Sequence, residues 1–405
     1  MWKNRNVWIV LFGELIAGLG LWASIIGNLE FMQEKVPSDF IKSIILSSGL
    51  LAGVLMGPLA GRIIDQSRKK TVLIYSSIGR VVSVLFMFIA LATGSIWWMV
   101  VFLILIQISA SFYFPALQAT LPLIVSERDL LQLNGWDMNV STVARVAGTA
   151  LAGLILVYSA IDTLYILSFA AYFALLLFTF MLKIPEEKPQ RIGRFGEGTK
   201  KGSEFKEVFP MLQANLSVKM TLILSFIPVL FLGSFNLLVI KISEFQDSVM
   251  IKGMIYTVEG ISFMIGSFAI KYIGEKWRIE QILFVCLIVI GSGEMLLYFA
   301  SSSLLTLVTF GIFGFAVGCF FPTVMTIFQK QVPKEYHGRF FSFRNMLDRI
   351  IFQIVLLSTG ALLDFIGLQL MVIVFGAISV LTTTYYWLQM RRGGVRIEAE
   401  QYRKV

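Results

Sequence analysis

Five charged residues, Glu14, Arg80, Arg145, Glu259 and Arg349, stand inside long apolar runs and have the most chemistry to offer. A charge near the centre of a bilayer costs at least ~2.5 to 3.5 kcal/mol on insertion scales, so each one kept there needs a partner or a use. A buried carboxyl resists ionisation, and a neighbouring arginine favours it. Such a group can therefore take up or release a proton when its distance to the cation changes. On this basis Glu14 and Glu259 are the candidate proton carriers. Arg80, Arg145 and Arg349 are candidates for setting their affinity or meeting an anionic part of a substrate. The competing reading for each is a static Glu–Arg pair that only fixes helix packing. Glu294 lies further out in its run and is a weaker candidate.

These residues need long apolar elements to hold them. The chain is 57% apolar and 15% charged over 405 residues, which makes the interior of a bilayer its expected solvent. Its formal charge of +9 does not point to nucleic acid, because the bases fall in loops between apolar runs and form no stripe or recognised binding module. Cys286 and Cys319 lie in apolar runs, His337 is the only histidine, and neither a disulfide framework nor a metal site is indicated. No phosphate-binding loop or grouped nucleophile, base and acid is seen, so no cofactor and no enzyme activity are expected. The N-terminus carries Glu14 and no small-residue cleavage site before Asn28, so it is expected to stay as the first membrane helix.

Apolar runs near 7–29, 40–62, 71–94, 96–124, 136–158 and 162–183 are each long enough to span a bilayer. Six more follow near 216–240, 249–273, 280–300, 303–329, 340–363 and 366–390. Backbone groups must be satisfied internally in lipid and alternating patterns are absent, so an all-α integral membrane protein with about twelve transmembrane helices is predicted. At a rise of ~1.5 Å per residue the five charges fall roughly 12 to 15 Å deep, at one level.

Basic residues set the orientation. Lys3, Arg5, Arg68, Lys69, Lys70, the central loop, Lys276, Arg278, Lys330, Lys334, Arg339 and the C-terminal bases share one side if the number of spans is even. Both termini are then cytoplasmic. Four segments follow: a six-helix bundle over 1–183, a linker over 184–215, a second bundle over 216–390 and a tail over 391–405. Phe205, Val208, Phe209 and Leu212 recur at helical spacing in the linker, where a short amphipathic helix and a plain linker are equally good readings.

The halves repeat each other. Ser111 to Met138 aligns without gaps on the stretch from Gly318, with Phe114-Pro115 on Phe321-Pro322, and GPLAGRIID from Gly57 falls on GSFAIKYIG from Gly266 at nearly the same separation. Two pseudo-repeated six-helix bundles around a midplane site follow from such a repeat. Glycines at 49, 53, 57 and 61 share one face of the second helix, a groove that a second helix can approach closely.

The run Gly57-Pro58-Leu59-Ala60-Gly61-x-x-x-Asp65-x-x-x-Lys69-Lys70 resembles motif A of the major facilitator superfamily, with Gln66 where an arginine usually follows the aspartate. Phe114-Pro115-Ala116-x-Gln118-Ala119-x-Leu121-Pro122, then Leu130-x-x-x-Asn134-Gly135, is similar to the drug:proton antiporter branch. That branch includes macrolide efflux proteins, enterobactin exporters and lysophospholipid transporters. Arg145 to Gly153 looks like its antiporter motif, with Thr149 in place of the proline.

The resemblance implies the major facilitator fold in a cell membrane, plasma or inner. It also implies a secondary transporter, most simply exporting an amphiphilic small molecule or drug in exchange for protons. A lysophospholipid or siderophore transporter is the alternative within transport, and a receptor-like or structural membrane protein the alternative outside it. The expected partners are a small-molecule substrate, protons and the lipid bilayer, with the chain acting as a monomer. Motif A further implies a cytoplasmic gate drawn from Gly57, Gly61, Asp65, Lys69, Lys70, Asp137, Arg344 and Asp348. In it Asp65 would cap the eleventh span, and Arg344 and Asp348, four apart, could pair.

Overall fold

In the computed structural model, residues 2–184, 210, 212–213, 215–332 and 337–393 are described, and they form no strand. The expected linker helix and most of the C-terminal tail lie outside the described residues. Six helices come first: α1 (Arg5–Lys35), α2 (Asp39–Gln66), α3 (Lys69–Thr93), α4 (Ile96–Ile124), α5 (Glu127–Tyr158) and α6 (Asp162–Met181). After the linker come α7 (Leu216–Leu224), α8 (Ile227–Gln246), α9 (Met250–Lys276), α10 (Ile279–Leu296), a 3₁₀ turn (Leu297–Phe299), α11 (Ser303–Gln331) and α12 (His337–Gly393).

Local chemistry sets where these helices start and stop. Side chains of Asn4, Ser38, Asn215 and Ser302 accept hydrogen bonds from first-turn amides of α1, α2, α7 and α11. Gly94 ends α3 in the left-handed conformation, φ 66°.

Eleven segments are long and apolar enough to cross a membrane, α7 and α8 together making the one over Leu216–Gln246. The last runs for 49 residues from Phe343 to Arg391, about twice what a span needs. Gly367, at φ 73° and ψ 173°, interrupts it and separates the two final spans expected from the apolar pattern, which gives twelve.

Contacts divide the chain into one unit of Met1–Phe195 with Ser248–Thr257 and another of Gly196–Asp247 with Val258–Val405. In the first, α1 packs on α5 and α6 through small residues, as membrane helices do for want of a hydrophobic drive between them. A Cβ on Gly20 would press on Ala171 and Ser168 of α6, and one on Gly18 would press on Ala144 of α5. The Ser168 hydroxyl donates to the Gly20 carbonyl at 2.7 Å, and Tyr165 donates to Asn28 Oδ1 at 2.7 Å.

In the second unit Phe231 stacks on Phe313 with ring centroids 3.7 Å apart. There α9 and α11 interlock, Gly314 and Gly318 resting on the backbone of Glu259 and Phe263, and Gly266 on that of Phe315. The glycine face of α2 behaves differently along its length. Gly49 and Gly53 lie against Leu103 and Gln107 of α4, but a Cβ on Gly57 or Gly61 would meet nothing within 4 Å. The expected close-packing groove therefore holds at the first two glycines and is open at the last two, where no neighbouring helix among the described residues reaches the face.

Candidate functional site

Three helices of the first unit bring ionic and aromatic groups together. Glu14 comes from α1, Arg80 from α3 and Tyr113 from α4, and each stands in a stretch whose other residues are apolar or small. The Tyr113 hydroxyl donates to Glu14 Oε1 at 2.6 Å. The Arg80 guanidinium lies over the Tyr113 ring at 4.0 Å from the centroid, with Phe114 at 5.0 Å and Tyr172 at 5.8 Å. Arg80 is only 4% exposed, and its Nε has no hydrogen-bond partner among the described residues. An aromatic cage of this kind attracts the cation through the ring quadrupoles without neutralising it.

Asp137, expected at the gate, is half-buried on α5. One phenol in this cluster touches both the acid and the base. The cluster can therefore couple protonation of Glu14 to the position of Arg80, and it keeps a buried N–H donor free for an anionic or carbonyl group.

The antiporter-like stretch of α5 belongs to the same unit. Arg145 is half-buried with its guanidinium 5.9 Å from the centre of the Trp22 ring, and Trp22 in turn lies 5.9 Å from Tyr256. Gly148 leaves room for Trp22 and Leu19, and Gly153 packs on Gly253 so closely that a Cβ would come 3.0 Å from its Cα. Thr149, standing where the motif has proline, donates to the Arg145 carbonyl at 2.9 Å and sits 3.5 Å from Thr257 Oγ1. Back-bonding of this kind bends helices slightly while keeping the amide that a proline would remove.

The remaining candidates stand on other helices. Glu259 is buried in α9, 4% exposed, and Arg349 is exposed on α12. Lys69 Nζ donates to the carbonyl of Ile64 at 2.7 Å, and Lys70 Nζ to those of Phe180 at 2.9 Å and Leu182 at 2.6 Å. Both lysines thus satisfy carbonyls at helix C-termini, of α2 and α6, where cations are favoured. The side chain of Asp65 lies outside the described residues. The Arg344–Asp348 pair forms, Nε to Oδ2 at 3.7 Å, with Arg344 also 5.1 Å from the Phe328 ring centre.

Two ion pairs with a buried lysine were not singled out by the sequence. Lys252 bonds Glu30 at 2.5 Å, and Lys42 bonds Asp39 at 2.9 Å with both side chains 1% exposed. The second has a visible signal in its i, i+3 spacing. The first spans 222 positions and has none. Glu294 is wholly buried in α10, with neither carboxyl oxygen hydrogen-bonded among the described residues.

Comparison with known proteins agrees with this architecture. A family profile described as Major Facilitator Superfamily matches residues 10–351 and 221–402. An uncharacterised MFS-type transporter, YfiS of Bacillus subtilis (strain 168), is 23% identical over 403 residues, covering 94% of this chain and 92% of that protein. Macrolide efflux protein A of Streptococcus pyogenes is 25% identical over 163 residues, 38% of this chain and 40% of the relative. Among solved structures, a mutant form of the nucleoside transporter NupG superposes with a TM-score of 0.78 at 13% identity, over 95% of this chain and 99% of that one.

Proposed function

Because this chain belongs to the Major Facilitator Superfamily, a family of transporters of small molecules, we propose that it exports an amphiphilic small molecule in exchange for protons. The halves 1–183 and 216–390 alternate access to a midplane site in the cell membrane, as repeat-built transporters do, with both termini cytoplasmic and the chain acting as a monomer. The observation that carries this reading is the linked set Glu14, Tyr113 and Arg80, an acid and a base held on one phenol inside an apolar bundle. Glu14 and Glu259 carry the proton. Arg80, Arg145 and Arg349 set affinity or meet substrate.

The partial likeness to Macrolide efflux protein A supports efflux, and the aromatic cage suits an apolar, ring-bearing cargo. Gly57, Gly61, Asp65, Asp137, Arg344 and Asp348 form the gate. Lys69 and Lys70 serve it indirectly by holding the ends of α2 and α6. A second reading, a lysophospholipid or siderophore as cargo, is favoured by the unpartnered Arg80 Nε, since guanidinium groups bind phosphate and carboxylate well.

The test is flux in proteoliposomes under an imposed proton gradient, with substrates found by a thermal-shift panel of cationic drugs, macrolides, lysolipids and siderophores. Glu14→Gln and Glu259→Gln should each abolish the gradient dependence. If both variants keep it, the acids are structural and the reading fails.

A further inference from the structure

A cavity of about 600 Å³ lies on the second unit, between the start of α10 and the end of α12. Its lining is ordered by depth. At the basic end stand Lys276 and Trp277 beside Trp387 and Arg391, and Val285, Ile288 and Val289 follow along α10. From Ile279, where α10 begins, to Val289 the helix climbs roughly 15 Å at ~1.5 Å per residue, the reach of an extended acyl chain's upper part. The Arg391 guanidinium lies 4.0 Å from the centre of the Trp387 ring, and Trp277 is 49% exposed. Among the described lining residues none is acidic. Thr383 and Thr384 also line it, but their hydroxyls donate to the carbonyls of Ser379 and Val380, so neither has its donor free for the groove.

Two cations beside two tryptophans above an apolar furrow match an amphiphile with an anionic head. Tryptophan favours the headgroup level and basic residues attract anionic lipids there. We propose that this groove binds an anionic phospholipid of the surrounding leaflet, with its phosphate between Lys276 and Arg391 and an acyl chain along Val285, Ile288 and Val289. The site is on the flank of one unit and does not depend on what the protein carries. Its occupant would brace the ends of α10 and α12 against each other.

The experiment uses the full chain, delipidated in detergent and titrated with phosphatidylglycerol bearing brominated acyl chains, which quench nearby indoles. The chain has eight tryptophans, so the signal is taken as the difference from Trp277→Phe/Trp387→Phe. Brominated phosphatidylglycerol should quench this difference signal at concentrations where brominated phosphatidylcholine does not. Lys276→Gln/Arg391→Gln should weaken phosphatidylglycerol about thirtyfold, as expected from losing two basic residues at about 1 kcal/mol each at an anionic headgroup. Lys276→Arg/Arg391→Lys should keep the affinity, which separates lost charge from lost folding. Equal quenching by the two lipids, unchanged affinity in the double glutamine variant, full competition by inorganic phosphate, or self-association through this face that lipid does not displace would each overturn the assignment.

Discussion

The two units handle matching sequence in opposite ways. In the first, Gly57 and Gly61 face open space, while Glu14, Tyr113 and Arg80 form a contiguous polar cluster. In the second, the counterpart Gly266 is pressed against the Phe315 backbone, and Gly314 and Gly318 close the same seam from the other side. Its ionic groups named so far stand on separate helices: Glu259 in α9, Glu294 enclosed in α10, and Arg344 paired with Asp348 on α12. A repeat therefore conserves the positions of helices more readily than their work. The second unit spends its glycines on rigidity. The first leaves Gly57 and Gly61 free and gathers an acid, a phenol and a base into one cluster.

The largest expected effect is at Gly266. Gly266→Val drives two methyls into the α11 backbone and should cost about 1 to 3 kcal/mol, the usual range for overpacking, read as a lowered melting temperature in detergent. Gly57→Val in the same assay should stay within about 0.5 kcal/mol, as for a substitution into open space. Equal losses at both positions would erase the contrast. Next comes Tyr113→Phe, which removes the bond to Glu14 but keeps the ring under Arg80. A hydrogen bond to a charged group contributes about 1.5 to 3 kcal/mol, so proton-driven flux should fall roughly tenfold with its pH profile displaced. An unshifted profile would remove the phenol from the mechanism. A smaller change is expected from Lys70→Gln, about 1 kcal/mol of stability from the weakened cap on α6, with transport intact. Smallest is Glu294→Gln, which replaces a carboxyl lacking hydrogen-bond partners by its near isostere and should leave flux within about twofold. A lost proton dependence there would add Glu294 to Glu259 as a working acid of the second unit.

Much of this is legible from the residues. Helices show in the sequence because a bilayer demands about twenty apolar residues per span, and that demand overrides other local preferences. Glu14 and Arg80 stand out because ions are rare in such runs. Tyr113 and Trp22 do not, since aromatics are common there and only the fold reveals which one lies under a guanidinium. Lys69 and Lys70 read as gate residues by motif, and no sequence pattern names the carbonyls of Ile64, Phe180 and Leu182 to which their ammonium groups donate. The Lys252–Glu30 pair joins residues too far apart in sequence for any pattern to announce.

Those two lysines are used at two moments in the protein's life. In the proposed orientation, a positive charge beside an emerging hairpin holds that loop on the side of the ribosome during synthesis. Once the chain has folded, the same ammonium groups close the ends of α2 and α6. A change to glutamate at position 70 would thus be punished twice, first by a hairpin free to invert and then by a carboxylate facing carbonyl oxygens. Arginine would satisfy both occasions.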